Sequence, residues 1–300
     1  MARRRLLTGD ERRRLFDPPV QETAIIGHYT LSAEDVELVG RRYGPANRLG
    51  LAAQIALMRH PGFGLQPEIG LPDVILQYLA AQLFVDPSSF SAYGQRAQTR
   101  TDHADLVARY LGIRPFRRGD LALALNLAAQ AAEYTDRGEP IVRALMVGLK
   151  GERFILPSGD TLERAGLAGR ARARKAAAAA IVEGLSSAEL TRLDELVINN
   201  PDFGMTPLAW LRNFEEAPTA ANINGLLERL RYVRGIGIHP VVGGAIPEFR
   251  FAQFVREGGV APAFLLSDYS VNRRRATLTA AVIDLEARLA DAAIQMFDRL

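Results

Sequence analysis

Four side chains in one short stretch, Asn47, Arg48, Gln54 and Arg59, are of the types that read nucleic acid. Asn and Gln pair with the edge of adenine, and Arg with guanine or with a phosphate, so such residues on one helix suit a major groove. The stretch that carries them runs from Arg41-Arg42-Tyr43-Gly44-Pro45 to Pro61-Gly62 and reads as helix, tight turn, helix, stop. Ser32 followed by Asp35 is an N-cap signature for the first helix. Gly44-Pro45 breaks the chain, and Pro45 suits the first turn of the next helix, where its missing N–H costs nothing. Leu49, Ala52, Ala53, Ala56 and Leu57 then fall near one face, leaving Asn47, Arg48, Gln54 and Arg59 for others. Two short helices across a glycine turn form the layout of a helix-turn-helix DNA reader. An ordinary αα-hairpin fits the same pattern.

Three further basic segments have chemistry of the same kind. Arg3, Arg4 and Arg5 make an N-terminal arm that could lie along a phosphate backbone or in a minor groove, or remain a solvated tail. Arg96, Gln98, Thr99 and Arg100 stand at the start of an expected helix, and Arg117 and Arg118 extend the patch. Between residues 94 and 118 there are six arginines against two aspartates. Such a segment could hold phosphates or base edges, or be a polar surface turn. Arg170 and Arg174 fall near one face of an Ala- and Arg-rich helix that could track phosphates or simply face solvent.

The elements that must position these residues are helices. Helical periodicity dominates, and long alternating strand patterns are absent. Helices are expected over Thr8 to Phe16, over the pair just described, from Leu71-Pro72 to about Phe84, over 98–111, and over 139–150. A long one starts at Ser158-Gly159-Asp160-Thr161, and others follow over 187–197, 207–212, 219–234, 247–257 and 270–300. Leu121 to Tyr134 is almost wholly apolar and reads as a central, buried helix. The expected fold is all-α: several small helical modules, the first helix-turn-helix-like, then a larger helical region. Boundaries near 68 and 150 divide it into a basic arm plus helix-turn-helix-like module (1–68), a second helical DNA-binding module (69–150) and a helical linker or interaction region (151–300).

Composition narrows the function classes. The chain has 300 residues, 48% hydrophobic, with a formal net charge of +3. Of its 37 cations only Lys150 and Lys175 are lysines. Arginine offers a rigid fork for phosphate or guanine, although an arginine-rich genome would give the same bias. Without cysteine there are no disulfides or thiolate metal sites, and four scattered histidines suggest no zinc cluster. No apolar run is long enough to span a bilayer, and the charged N-terminus lacks a signal-peptide segment, so a cytoplasmic, nucleoid-associated protein is expected. Neither a phosphate-binding loop nor a dinucleotide fingerprint is present, no catalytic constellation stands out, and no cofactor is expected.

At these same residues the sequence resembles the N-terminal part of transposases of the Tn-three family, the replicative, cointegrate-forming transposases of bacterial mobile elements. The resemblance rests on Leu6-Leu7 with Glu11 to Phe16, on His28-Tyr29-Thr30-Leu31-Ser32, and above all on Asn47-Arg48-Leu49-Gly50 through Arg59-His60-Pro61-Gly62. It continues at Gln98-Thr99-Arg100, Tyr110 to Phe116, Leu156 to Arg164, Ala209-Trp210-Leu211-Arg212 and Asp291 to Leu300. It implies recognition of terminal inverted repeats in double-stranded DNA by several small helical units. It also implies a longer protein, with an RNase-H-like domain whose acidic residues bind magnesium. Those residues have no counterpart here, so the chain is expected to bind DNA ends without cleaving or joining them. The other readings are a regulator descended from such a transposase and a helical interaction module that self-associates or docks on a catalytic region outside this chain.

Overall fold

The computed structural model describes residues 5–65, 71–95, 97–215, 217 and 219–299. Among them the fold is all-α, as the periodicity predicts. The helices are α1 (Gly9–Phe16), α2 (Glu22–Tyr29), α3 (Ala33–Gly40), α4 (Pro45–Arg59), α5 (Asp73–Leu83), α6 (Ala97–Leu111), α7 (Leu121–Ala131), α8 (Gly138–Gly151), α9 (Gly159–Glu183), α10 (Ser187–Glu195), α11 (Pro207–Arg212), α12 (Ala220–Ile236), α13 (Glu248–Val260), α14 (Ala263–Ser267) and α15 (Val271–Phe297). Two short strands, β1 (Arg114–Pro115) and β2 (Phe154–Ile155), pair in parallel with Arg114 opposite Phe154.

The chain forms two compact units, and they do not divide at 68 and 150. The first comprises Met1–Ala131 with Asp136–Gly169, and the second Ala132–Thr135 with Arg170–Leu300, so the division falls within α9. The reason lies in α4. Every residue from Leu49 to Met58 is buried. On one side Leu49, Ala53, Ala56 and Leu57 pack with Ile25 and Tyr29 of α2 and Ile75 and Leu79 of α5. On the other, Leu51, Ala52, Ile55 and Met58 pack with Val39 of α3 and Val107 of α6. α4 thus contributes to cores on both sides of residue 68.

α4 also takes the central place expected of the Leu121–Tyr134 stretch. In α7 only Ala124 and Ala128 are buried within the helix, and Leu121 is exposed. The small face of α7 is used for close approach: a β-carbon on Gly169 would lie 2.5 Å from that of Ala128. The leucines between them are left half-buried.

The C-terminal end of α4 is tied down by groups distant in sequence. Tyr29 donates its hydroxyl to the carbonyl of His60 (3.2 Å), and Lys150 of α8 reaches the carbonyls of Arg59 (3.3 Å) and Pro61 (3.4 Å). The imidazoles of His28 and His60 stack in parallel, 3.7 Å between centroids. Burial, helped by the nearby His28 and Lys150, pushes His60 down to about 4. The unfolded chain therefore takes up a proton that the folded chain resists. His60 contributes its stability fully above about 6.5, the unperturbed value, and loses it as pH falls from there towards 4. Urea denaturation should show the wild type losing stability relative to His60→Gln between about pH 7 and about pH 4.5; parallel losses would refute this.

In the second unit α15 is the spine. Leu278, Val282, Leu285 and Leu289 pack with Leu226, Leu230 and Val233 of α12 and with Leu193 of α10. α13 approaches α15 closely at Gly258, where a β-carbon would lie 2.7 Å from the carbonyl of Thr277. Asp194 of α10 binds Arg274 (3.1 Å) and Arg275 (2.7 Å), and Arg273 pairs with Glu257 of α13, which places the whole 273–275 arginine run in ion pairs. No helix among the described residues is long and apolar enough to cross a membrane.

Candidate nucleic-acid interface

Ser32 and Asp35 close a reciprocal capping box: Asp35 donates its backbone N–H to Ser32 Oγ (3.1 Å), and Ser32 donates its own to Asp35 Oδ2 (2.9 Å). Gly44, with φ of +83°, turns the chain from α3 into α4, a conformation that glycine alone adopts without strain. Pro45 opens α4 as predicted. Two helices across a glycine turn are thus present. What differs from the expectation is which part of the second helix is accessible.

Its first turn is, and beyond the enclosed stretch from Leu49 to Met58 only the terminal Arg59 is. Arg48 is exposed, and its Nε donates to the carbonyl of Arg42 (3.0 Å). Asn47 is half-buried and donates Nδ2 to the carbonyl of Tyr43 (3.0 Å). Both bonds brace the turn and leave the Arg48 Nη donors and Asn47 Oδ1 available. Tyr43 stands at the tip, 94% exposed. Arg41 flanks it, paired with Glu37 at 2.7 Å on an open surface. The turn carries no carboxylate and α4 has none in its first turn, so the positive end of the helix dipole and the arginines add.

The other two residues assigned to the reading face are engaged within the protein: Gln54 is buried, and Arg59, though partly exposed, is held in an ion pair. Gln54 is 2% exposed, and its Nε2 donates to Tyr93 Oη (2.8 Å) and to the carbonyl of Arg100 (3.0 Å). Tyr93 Oη in turn meets His103 Nδ1 (3.1 Å). The ring of Tyr93 lies flat against Gly50, where no β-carbon fits. Burial, reinforced by Arg42, lowers the pKa of His103 and favours its neutral imidazole. Arg59 forks onto the fully buried Asp35, with Nη2 at 2.7 Å from Oδ1, and Tyr110 of α6 donates to the same carboxylate (2.8 Å). Gln54 and Arg59 therefore hold α3, α4 and α6 together, with their donors engaged inside the protein.

The remaining expected contacts are dispersed. Arg3, Arg4 and Arg96 lie outside the described residues. Arg5 is exposed. At the start of α6, Gln98 is exposed and donates to Asp102 (2.6 Å), Thr99 is half-buried, and Arg100 folds back to donate to the carbonyl of Gly94. Because the Arg100 carbonyl also receives Gln54, this start of α6 is anchored to α4 rather than forming a module of its own. Arg117 and Arg118 are exposed, the former donating its backbone N–H to Asp120 (2.8 Å). Arg170 and Arg174 belong to the second unit and each carries an interaction within the protein. The turn residues Arg41 and Tyr43 were not among the expected contacts. The available signal was an aromatic residue between arginines and a Gly-Pro break, where no core could receive it.

The structure thus defines a helical protein whose first unit presents a short, cationic turn on a rigid three-helix support. Residues 6–168 match the family described as "Domain of unknown function (DUF4158)", and the chain belongs to that family. The matched span covers nearly the whole first unit. Over 300 residues the chain is 32% identical to the transposase for transposon Tn501 of Pseudomonas aeruginosa and 33% identical to that for Tn3926 of Escherichia coli. It is 28% identical over 298 residues to the transposase for Tn1546 of Enterococcus faecium. All or nearly all of the chain is covered in each case, and it spans 30% of the length of each relative. The resemblance to Tn-three family transposases read from the sequence is borne out.

Proposed function

We propose that this chain is the N-terminal, end-recognition region of a Tn-three family transposase. It binds the terminal inverted repeat of its element as double-stranded DNA and performs no catalytic step of its own. The observation that carries this reading is the exposed, cationic turn from Arg41 to Arg48, which includes the accessible first turn of α4. Because the body of α4 is enclosed, the helix does not lie along a groove. It meets the duplex end-on, with Tyr43 and the first turn of α4 entering the groove. Recognition helices characteristically contact base edges through their N-terminal residues. Arg48 has the fork for guanine O6 and N7, and the carboxamide of Asn47 suits adenine. The bonds that hold both side chains to the turn reduce the rotamer entropy lost on binding.

The test is fluorescence anisotropy of the chain on the inverted repeat flanking its gene and on a scrambled duplex of the same length, at several salt concentrations. Binding tighter to the repeat by about 100-fold or more is expected. Asn47→Ala and Arg48→Ala should each weaken binding to the repeat by about 1–3 kcal/mol and narrow its advantage over the scrambled duplex. Unchanged binding in both variants would remove the turn from the interface. Equal binding to both duplexes would leave only a basic surface, and no binding would leave an interaction module.

A further inference from the structure

The base of the N-terminal arm is built into the first unit. Leu6 and Leu7 are buried. The carbonyl of Leu6 lies directly against Gly138, in space that any β-carbon there would need, and the Leu6 side chain fills the place of a β-carbon on Gly166. Thr8 then starts α1 with its own capping box. The exposed Arg5 is consequently held beside the first turn of α8. There Glu139 accepts one hydrogen bond from Arg14 (2.9 Å) and another from Arg143 (2.8 Å). Both arginine side chains are 59% exposed, whereas that of Glu139 is 18% exposed. The carboxylate is the inner member, with two guanidiniums fanned outwards from it. The other acids near Arg14 are already engaged, Asp10 with Arg13 and Glu11 with the Thr8 cap.

One carboxylate shared by two guanidiniums leaves a positive charge and several donors pointing to solvent, since each guanidinium has five N–H groups. Planar forks held in place this way match the oxygens of a phosphodiester. The cluster contains no amide side chain of the kind that reads bases, so its chemistry is that of backbone contact. We propose that Arg5, Arg14 and Arg143, braced by Glu139 and registered by Leu6 against Gly138 and Gly166, form a phosphate-contact site for the DNA backbone at the base of the arm. This rests on the DNA-binding reading above. Glu139 acts as a positioning residue. It orients the two arginines while reducing their net charge, so its neutral isostere has the opposite effect to their loss.

The experiment compares wild type, Arg14→Ala/Arg143→Ala and Glu139→Gln on the repeat and on the scrambled duplex across a salt series, with circular dichroism melting to confirm folding. The double variant should bind both duplexes more weakly by a similar factor, and its log–log salt slope should be shallower by about 1–2. Glu139→Gln should bind both more tightly with a steeper slope, a change that a merely structural ion pair would not produce. Arg14→Lys/Arg143→Lys should restore the slope but only part of the affinity, because lysine keeps the charge without the fork. A wild type that binds while the double variant keeps its affinity and slope overturns this site alone. A wild type that binds neither duplex overturns the DNA reading with it.

Discussion

Asp35→Ala is expected to destabilise the first unit by about 3 kcal/mol, the lower end of the range for breaking a buried ion pair. The carboxylate is fully buried and holds three elements at once: Arg59 at the end of α4, Tyr110 on α6 and the backbone N–H of Ser32 that starts α3. Its removal leaves the guanidinium of Arg59 without a counter-charge and the Tyr110 hydroxyl without an acceptor. The effect stays at the lower end because the Arg59 side chain is 36% exposed and can turn to water. Burial alone would raise the pKa of Asp35, but the bonds from Arg59, Ser32 and Tyr110 outweigh it and hold the carboxyl below the usual range. Its contribution is thus present above the ordinary carboxylate pKa and fades as pH falls through the folded value. Urea denaturation of Asp35→Ala, Arg59→Ala and the double variant checks the assignment. The double variant should be much less destabilised than the sum of the singles, because the second substitution removes a charge already orphaned. A single-variant cost below about 1 kcal/mol would mean that the pair is not holding the helices.

The same residues show what the sequence made legible and what it did not. Helix existence and starts were readable because their causes are local. Ser32 with Asp35 and Thr8 with Glu11 place caps within one turn, and Gly44-Pro45 states a break whatever surrounds it. The enclosure of α4 was not readable in this way. A periodic apolar stripe predicts one buried face, yet Gly50, Ala52 and Ala53 are small enough for neighbours to close in on several sides. Gln54 then looks like a solvent-facing polar residue until Tyr93 and Arg100 arrive from about forty residues away in sequence to satisfy it. Arg59 follows a similar logic: an arginine after an apolar run looks free, but its partner Asp35 belongs to the preceding helix. Conversely, the leucines of α7 suggested a central helix, but the alanines between them decide how that helix packs. The candidate interface therefore contracts from a helix face to a turn. Asn47 and Arg48 keep their place in it because they precede the point where enclosure begins.

Gly50→Ala puts this enclosure to its sharpest test. On an isolated helix the change should stabilise by up to about 1 kcal/mol, since glycine is the poorer helix former. In this protein it is expected to destabilise by about 2 kcal/mol, because the new methyl would occupy space filled by the Tyr93 ring. The ring has little freedom to yield. Its hydroxyl is fixed between Gln54 at 2.8 Å and His103 at 3.1 Å, and Phe90 and His103 stack against it. Displacing it breaks the bond to Gln54 and loosens the attachment of the α6 N-terminus, so amide exchange near Arg100 should accelerate along with the loss of stability. The sign should reverse in a Tyr93→Ala background, where the space is open and only helix propensity remains. A reversal of this kind isolates packing from propensity, because both backgrounds carry the same backbone change. A neutral Gly50→Ala in the wild type would instead mean that Tyr93 is not seated on α4. The start of α6 would then be held to the helix pair by the Gln54 bond to the Arg100 carbonyl without the support of the Tyr93 ring.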